Sequence, residues 1–204
     1  MTSAVQPAEP RDSSVASIVG GGARLGLMTA AGAAAFALGS RMIEGPVEML
    51  FQSLLLLVGG ALFSYLPAVW LKPSDVDSIA WASLVGLLGA LTFTVLDTAI
   101  LRPLNMYHWS WDRIGGGSGL WYIPVWWMGA TTLAWLGAWT YSAVARKGPV
   151  NIPALVGRTW IIAIALFVVA GMARIVPFSS AGMALAFGVA LVMHVVLAAT
   201  LLQK

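Results

Sequence analysis

The chain has 204 residues, of which 59% are hydrophobic and only 9% are charged, and its mean hydropathy is +0.87. Soluble domains carry about 25% charged residues, so a water-soluble core of this size cannot hide so much apolar surface. The net charge of +3 arises from 11 basic and 8 acidic residues, too few for a nucleic-acid-binding surface. The absence of cysteine excludes disulfides and thiolate-bound metal centres.

The beginning of the chain is polar and rich in proline and serine. Residues 1–20 include Glu9, Arg11 and Asp12, show little periodicity, and lack the basic start and apolar run of a signal peptide. The sequence therefore predicts a flexible polar tail over residues 1–22, followed by one membrane domain over residues 23–204.

Six apolar stretches follow the tail, each close to the about 20 residues that a helix needs to cross hydrocarbon. They cover residues 24–41, 47–71, 78–101, 120–144, 152–174 and 179–202. Because backbone groups must be satisfied inside lipid and barrel-like alternation is missing, these stretches are predicted to be helices. The expected fold class is all-α, a polytopic six-helix membrane bundle. The small residues of AAGAAAFALG (30–39) favour close helix packing.

Six crossings place both termini on one side of the membrane, which we call the near side; the other is the far side. Near-side basic residues are Arg11, Arg24, Lys72, Arg146, Lys147 and Lys204, and far-side ones are Arg41, Arg102, Arg113 and Arg174. This excess of positive charge predicts that the near side is cytoplasmic. The expected location is the inner membrane of a bacterium or archaeon.

Ionisable side chains inside apolar spans are costly and therefore candidates for function. A rise of 1.5 Å per residue places Asp97 about 6 Å below the far-side end of the third span. Glu48 begins the second span on the same side, and Arg102, His108 and Asp112 follow Asp97. We therefore expect a carboxylate-rich polar layer at the far side. The structural alternative is that Asp97 only pairs with Arg102 or caps the loop.

A second polar pocket is expected toward the near side. Arg158 lies about 9 Å and His194 about 12 Å from that side, on consecutive spans, so the two can meet. The structural alternatives are an Arg158 side chain that snorkels to the interface and an interior histidine with satisfied hydrogen bonds.

No cofactor or metal is expected. Lys72, Lys147 and Lys204 lie at span ends or in loops, which argues against a retinal Schiff base, and the two histidines lie toward opposite sides, unlike a bis-histidine haem. His108 and Asp112 lack a third metal ligand. The GGGSG run at 115–119 follows no strand, unlike a phosphate-binding loop.

Residues 107–127, YHWSWDRIGGGSGLWYIPVWW, hold five of the ten tryptophans, as an interfacial aromatic belt would. Together with LD at 96–97 and the continuation to residue 137, they resemble a carotenoid-biosynthesis family, the bisanhydrobacterioruberin-hydratase-like membrane proteins. The matching positions are Tyr107, Trp109, Trp111, Gly119, Tyr122, Pro124 and Trp127. The chain departs from that pattern at Ile123, where a small residue is expected, and at Trp126–Trp127, where an asparagine is expected.

The resemblance implies acid-catalysed hydration or cyclisation of an isoprenoid double bond. Asp97 would donate the proton, and Glu48 or Asp112 would position water. Aromatic faces would shelter the cation. The expected substrate-binding side chains are Trp109, Trp111, Trp121, Tyr122, Trp127, His108 and Arg102.

A non-catalytic alternative remains open at this point. Tryptophan bands and small-residue seams also suit an accessory subunit of a respiratory or photosynthetic membrane complex, packed against lipids, pigments or other subunits. In both hypotheses the partners are membrane lipids and a lipophilic small molecule or pigment, and no nucleic acid.

Overall fold

The structure is a computed structural model that describes residues 15–107 and 122–200. Within these ranges the chain forms α-helices and one π-helical turn, and no β-strand occurs there, which confirms the predicted all-α fold class.

Six helices make up the bundle. They are α1 (Val15–Met42), α2 (Pro46–Leu71), α3 (Val76–Leu96, continued by the π-helical turn Asp97–Leu101), α4 (Tyr122–Ala145), α5 (Ile152–Met172) and α6 (Ser180–Thr200). All but α4 are long and apolar enough to cross a membrane. The α4 helix has a similar length, 24 residues, but is rich in tryptophan, tyrosine and threonine, which lower its hydropathy.

The α1 helix begins at Val15, earlier than the sequence analysis predicts. Residues 15–22, assigned there to the tail, belong to the membrane domain, and Ile18, Gly21 and Gly22 are buried in it. A Cβ atom at Gly22 would collide with the side chain of Leu88 on α3. The glycines that lower the hydropathy of this segment thus allow it to pack closely against its neighbour.

The closest contacts of α1 only partly fall in the predicted small-residue segment 30–39. Gly39 faces the ring of Phe51 on α2, whereas Ala31, Gly32 and Ala35 point outward from the bundle. The tightest seam between α1 and α3 instead lies nearer the start of α1.

Contacts between helices establish their relative directions. Gly22 faces Leu88 and Gly26 faces Thr92, so α1 and α3 run parallel. The α1 and α2 helices run antiparallel, because Gly39 near the end of α1 faces the start of α2 and Gly21 faces Trp70 near its end. The first three helices therefore alternate in direction, as successive membrane crossings require.

The helices neighbour one another in the order α1, α3, α4, α6, α5, and α2 contacts all five. The α2 and α4 helices approach most closely at Gly137, where a Cβ would collide with the backbone carbonyl of Ser64. One apolar core fills the space between α2, α4, α5 and α6, and a second lies between α1, α2, α3 and α4.

Candidate functional site

The far-side end of α3 widens into the π-helical turn Asp97–Leu101, in which the backbone N–H of Arg102 donates to the carbonyl of Asp97 at 2.9 Å. This turn brings the Arg102 Nε atom within 3.0 Å of Asp97 Oδ2. The Asp97 side chain is only 1% exposed, whereas that of Arg102 is 26% exposed. Such turns occur frequently at functional sites.

The chain beyond the turn returns toward Asp97. Asn105 adopts a left-handed conformation (φ 49°), and the hydroxyl of Tyr107 donates to Asp97 Oδ1 at 2.6 Å. Both carboxylate oxygens are therefore engaged. We call Asp97, Arg102 and Tyr107 the far-side cluster. It contains the Asp97–Arg102 ion pair, which is the structural alternative given above for Asp97. From the sequence alone, Tyr107 is only part of the aromatic pattern.

Aromatic side chains of α4 lie next to this cluster. Trp127 Nε1 donates to Thr94 Oγ1 at 3.0 Å, one turn before Asp97. Trp126 packs edge-to-face against Phe93 and Phe63, with ring centroids 5.5 and 6.1 Å apart. The start of α4 therefore supplies an aromatic wall, and Trp127, a predicted substrate-binding residue, lies at that wall.

Glu48 belongs to a separate group at the far side. Gln52 Nε2 donates to Glu48 Oε1 and to Ser40 Oγ, each at 2.8 Å, and so ties the start of α2 to the end of α1. The guanidinium of Arg41 donates to the carbonyl of Asn105, which links α1 to the segment after α3. Within the described residues, the expected carboxylate layer is thus divided into two polar groups with different partners.

Several predicted site residues cannot be placed. His108, Trp109, Trp111, Asp112 and Trp121 lie outside the described residues, and for Tyr122 only its position at the start of α4 is described. Their proposed roles stay predictions.

The structure brings Arg158 and His194 together at the near side. Both line a cavity of about 360 Å³ between α4, α5 and α6. Lys147 lines it too, and its other walls are apolar, formed by Ala143, Val144, Ile161, Ile162, Leu197 and Ala198. We call this space the near-side cavity.

A buried hydrogen-bond chain, which the sequence analysis did not identify, leads from α2 to this cavity. The Tyr65 hydroxyl and Thr159 Oγ1 are 2.7 Å apart, and Thr159 Oγ1 is 2.8 Å from His194 Nδ1. Tyr65 is 1%, Thr159 0% and His194 6% exposed. The chain connects α2, α5 and α6 through their interior, so His194 has a structural partner as well as a face toward the cavity.

These features define the class of protein. Apolar helices of membrane-spanning length, alternating directions and two polar regions at opposite ends identify a polytopic integral membrane protein. Comparison of the chain with known protein families, curated proteins and solved structures finds no match.

Proposed function

We propose that this membrane protein binds a lipophilic molecule of the isoprenoid or carotenoid type beside the far-side cluster. The observation that carries the proposal is the Asp97 carboxylate, 1% exposed at the end of a membrane-spanning helix and held by Arg102 and Tyr107. Burying charge at this depth is costly, so intramembrane ionisable groups are candidates for function by default.

The surroundings of the cluster suit such a ligand. Trp126, half-buried and packed edge-to-face on Phe93, offers an apolar surface against which a conjugated or branched chain can lie. Arg102 and Tyr107 provide hydrogen-bonding groups for a polar end of the ligand. Pockets for small molecules commonly combine apolar walls with a few such polar groups. The resemblance of residues 96–137 to carotenoid-biosynthesis proteins supports the same ligand class.

The chemical step of this proposal is hydration or cyclisation of a double bond. Asp97 in its neutral form transfers a proton to an alkene carbon, which leaves a carbocation beside the aromatic wall. In hydration, water bonds to the cation and its surplus proton returns to the carboxylate. In cyclisation, a second double bond attacks the cation, and the new cation loses a proton from a neighbouring carbon to the carboxylate.

The ion pair sets a condition for this step. Arg102 pairs with the charged carboxylate, so Asp97 acts as an acid only after it gains a proton and Arg102 moves away. The Arg102 side chain is 26% exposed, which gives it a route toward the headgroup region. Glu48 is engaged with Gln52, and any role for it in holding water requires that hydrogen bond to change.

The proposal is tested with Asp97→Asn, with Asp77→Asn as the matched control on the exposed near-side end of the same helix. Lipid-soluble material retained by each purified protein is identified by absorbance and mass, and conversion of extracted polyenes is assayed in parallel. We expect Asp97→Asn to lose the product and Asp77→Asn to keep it. Undiminished turnover and retention in a folded Asp97→Asn protein would end the proposal. If that variant does not fold, Tyr107→Phe removes one hydrogen bond to the carboxylate and should lower turnover, and unchanged turnover and retention in this variant would also count against the proposal.

A second candidate function is that of an accessory subunit in a larger membrane complex. The observation in its favour is the outward face of α1, where Ala31, Gly32 and Ala35 are exposed and a Cβ at Gly32 would meet nothing. Small residues at such spacing allow another membrane helix to approach closely. Gentle purification discriminates the two: a stable stoichiometric complex favours the subunit, and an isolated chain that converts polyene favours the enzyme.

A further inference from the structure

We infer that the near-side cavity is a binding site for an anionic phospholipid, with the headgroup phosphate at Arg158 and His194 and an acyl chain along the apolar walls. This inference is independent of the function proposed for the far-side cluster, which lies at the opposite end of the bundle.

The charge of the cavity is the first argument. Arg158 lies about 9 Å along α5 from its near-side start, at the border of the hydrocarbon. Lys147 adds a second cation, and none of the described lining residues is acidic. In the described part of the chain, Arg158 has no carboxylate partner. The near side is the predicted cytoplasmic side, and cationic pockets between membrane helices on that side bind anionic lipid headgroups.

The buried hydrogen-bond chain supplies the second argument, because its distances favour one tautomer of His194. Among the described residues, Thr159 is the one hydrogen-bond partner of the Tyr65 hydroxyl, so Tyr65 satisfies its proton by donating to Thr159. Thr159 can then donate to His194 Nδ1 at 2.8 Å, a shorter distance than the 3.2 Å to the carbonyl of Leu155. We take the shorter contact as the one to which Thr159 donates, and this choice assigns the ring proton of His194 to Nε2.

His194 therefore adds an N–H donor to the cavity that already holds the Arg158 guanidinium. Two donors of this kind suit the oxygens of a phosphate group, and guanidinium–phosphate pairs form strong charge-assisted hydrogen bonds. A preformed donor also loses little freedom when the ligand binds.

The shape of the cavity favours a lipid over a free anion. Its volume of about 360 Å³ exceeds the needs of a phosphate ion, and Ile161, Ile162 and Leu197 form apolar walls. Free phosphate would leave these walls uncovered, whereas an acyl chain would cover them. Phosphate chemistry and apolar contact together thus point to a phospholipid.

The experiment uses the full chain in detergent, titrated with phosphatidylglycerol, phosphatidylcholine or inorganic phosphate, with bound molecules counted by native mass spectrometry. We expect one phosphatidylglycerol to bind in preference to phosphatidylcholine, and Arg158→Gln to weaken it about tenfold. Arg24→Gln, which removes an exposed arginine from the near-side half of α1, is the matched control and should bind like the wild type.

Three outcomes would overturn the inference. These are equal binding of the zwitterionic lipid, equal occupancy by inorganic phosphate alone, and undiminished phosphatidylglycerol binding by Arg158→Gln. If Arg158→Gln does not fold, Arg158→Lys keeps the charge but loses the paired donors, and it should weaken binding less than tenfold while retaining the preference for the anionic lipid. Loss of that preference in the lysine variant would count against the site.

Discussion

The hydroxyl of Tyr107 donates a 2.6 Å hydrogen bond to the carboxylate of Asp97, ten positions earlier in the chain, at the far side of the bundle. The same carboxylate is paired with Arg102, so the end of α3 and the segment after it form one polar unit. The stability of this unit and the roles proposed for it can be measured separately.

The two members of the Asp97–Arg102 pair are expected to differ in the cost of their removal. Arg102→Gln leaves a charged carboxylate that is 1% exposed, and we expect it to lower the free energy of unfolding by roughly 2–3 kcal/mol. Asp97→Asn leaves a guanidinium that can reach the headgroup region, so its cost should be nearer about 1 kcal/mol. Equilibrium unfolding in mixed detergent micelles measures both, and the reverse order would contradict this account.

The buried hydrogen-bond chain between α2 and α6 should contribute measurably to stability. Tyr65→Phe removes the hydroxyl that contacts Thr159, and we expect it to cost about 0.5–1.5 kcal/mol, the range of hydrogen bonds between membrane helices. The control is Tyr141→Phe on α4, a half-buried tyrosine. Equal effects of the two substitutions on unfolding would show that the hydrogen bond adds nothing specific.

The close approach of α2 and α4 predicts strong sensitivity at one glycine. Gly137→Ala places a methyl group against the carbonyl of Ser64, and backbone cannot move aside as a flexible side chain can. We expect a loss of about 2 kcal/mol or more in unfolding free energy. In Gly129→Ala, on the same helix, the added Cβ meets nothing within 4 Å, so stability should hold or rise slightly. A tolerant Gly137→Ala would argue against the α2–α4 packing.

The alternating helix directions predict opposite exposure of two loops. The chain has no cysteine, so single substitutions can be labelled without background. Ser74→Cys between α2 and α3 and Glu44→Cys between α1 and α2 are both at exposed positions. In whole cells a membrane-impermeant maleimide should label Glu44→Cys only, because the near side is proposed to be cytoplasmic. Labelling of Ser74→Cys alone would reverse that orientation, and labelling of both would contradict the topology.

Hydropathy predicted the helices well because each span had to satisfy its backbone inside lipid, whatever its neighbours. The start of α1 does not follow from hydropathy because Gly20, Gly21 and Gly22 lower it. Gly21 and Gly22 allow close packing against Trp70 and Leu88, which are far away in sequence. Local composition carries no signal for such a contact.

The polar contacts were predictable where depth alone determined them. Matching depths anticipated that Arg158 and His194 would meet, and spacing anticipated the pair of Asp97 with Arg102. Depth also matches for Tyr65 and Thr159, two uncharged polar residues that each lie about 9–11 Å from the near-side end of their helix, so their contact is predictable in the same way. The contact from Tyr107 to Asp97 depends on the turn after α3 and does not follow from depth. The hydrogen bond between Gln52 and Glu48 follows from their spacing of four residues on one helix face, not from depth.

The central claim is that the far-side cluster serves a bound lipophilic molecule, and the most direct measurement is the lipid-soluble material that the purified protein retains. Absorbance and mass of an organic extract should reveal an isoprenoid-type compound in stoichiometric amount with the wild type and with Asp77→Asn. The extract of Asp97→Asn should contain clearly less of this compound or of its hydrated or cyclised product. Extracts that contain only bulk membrane lipid, or that are identical for the three proteins, would contradict the claim.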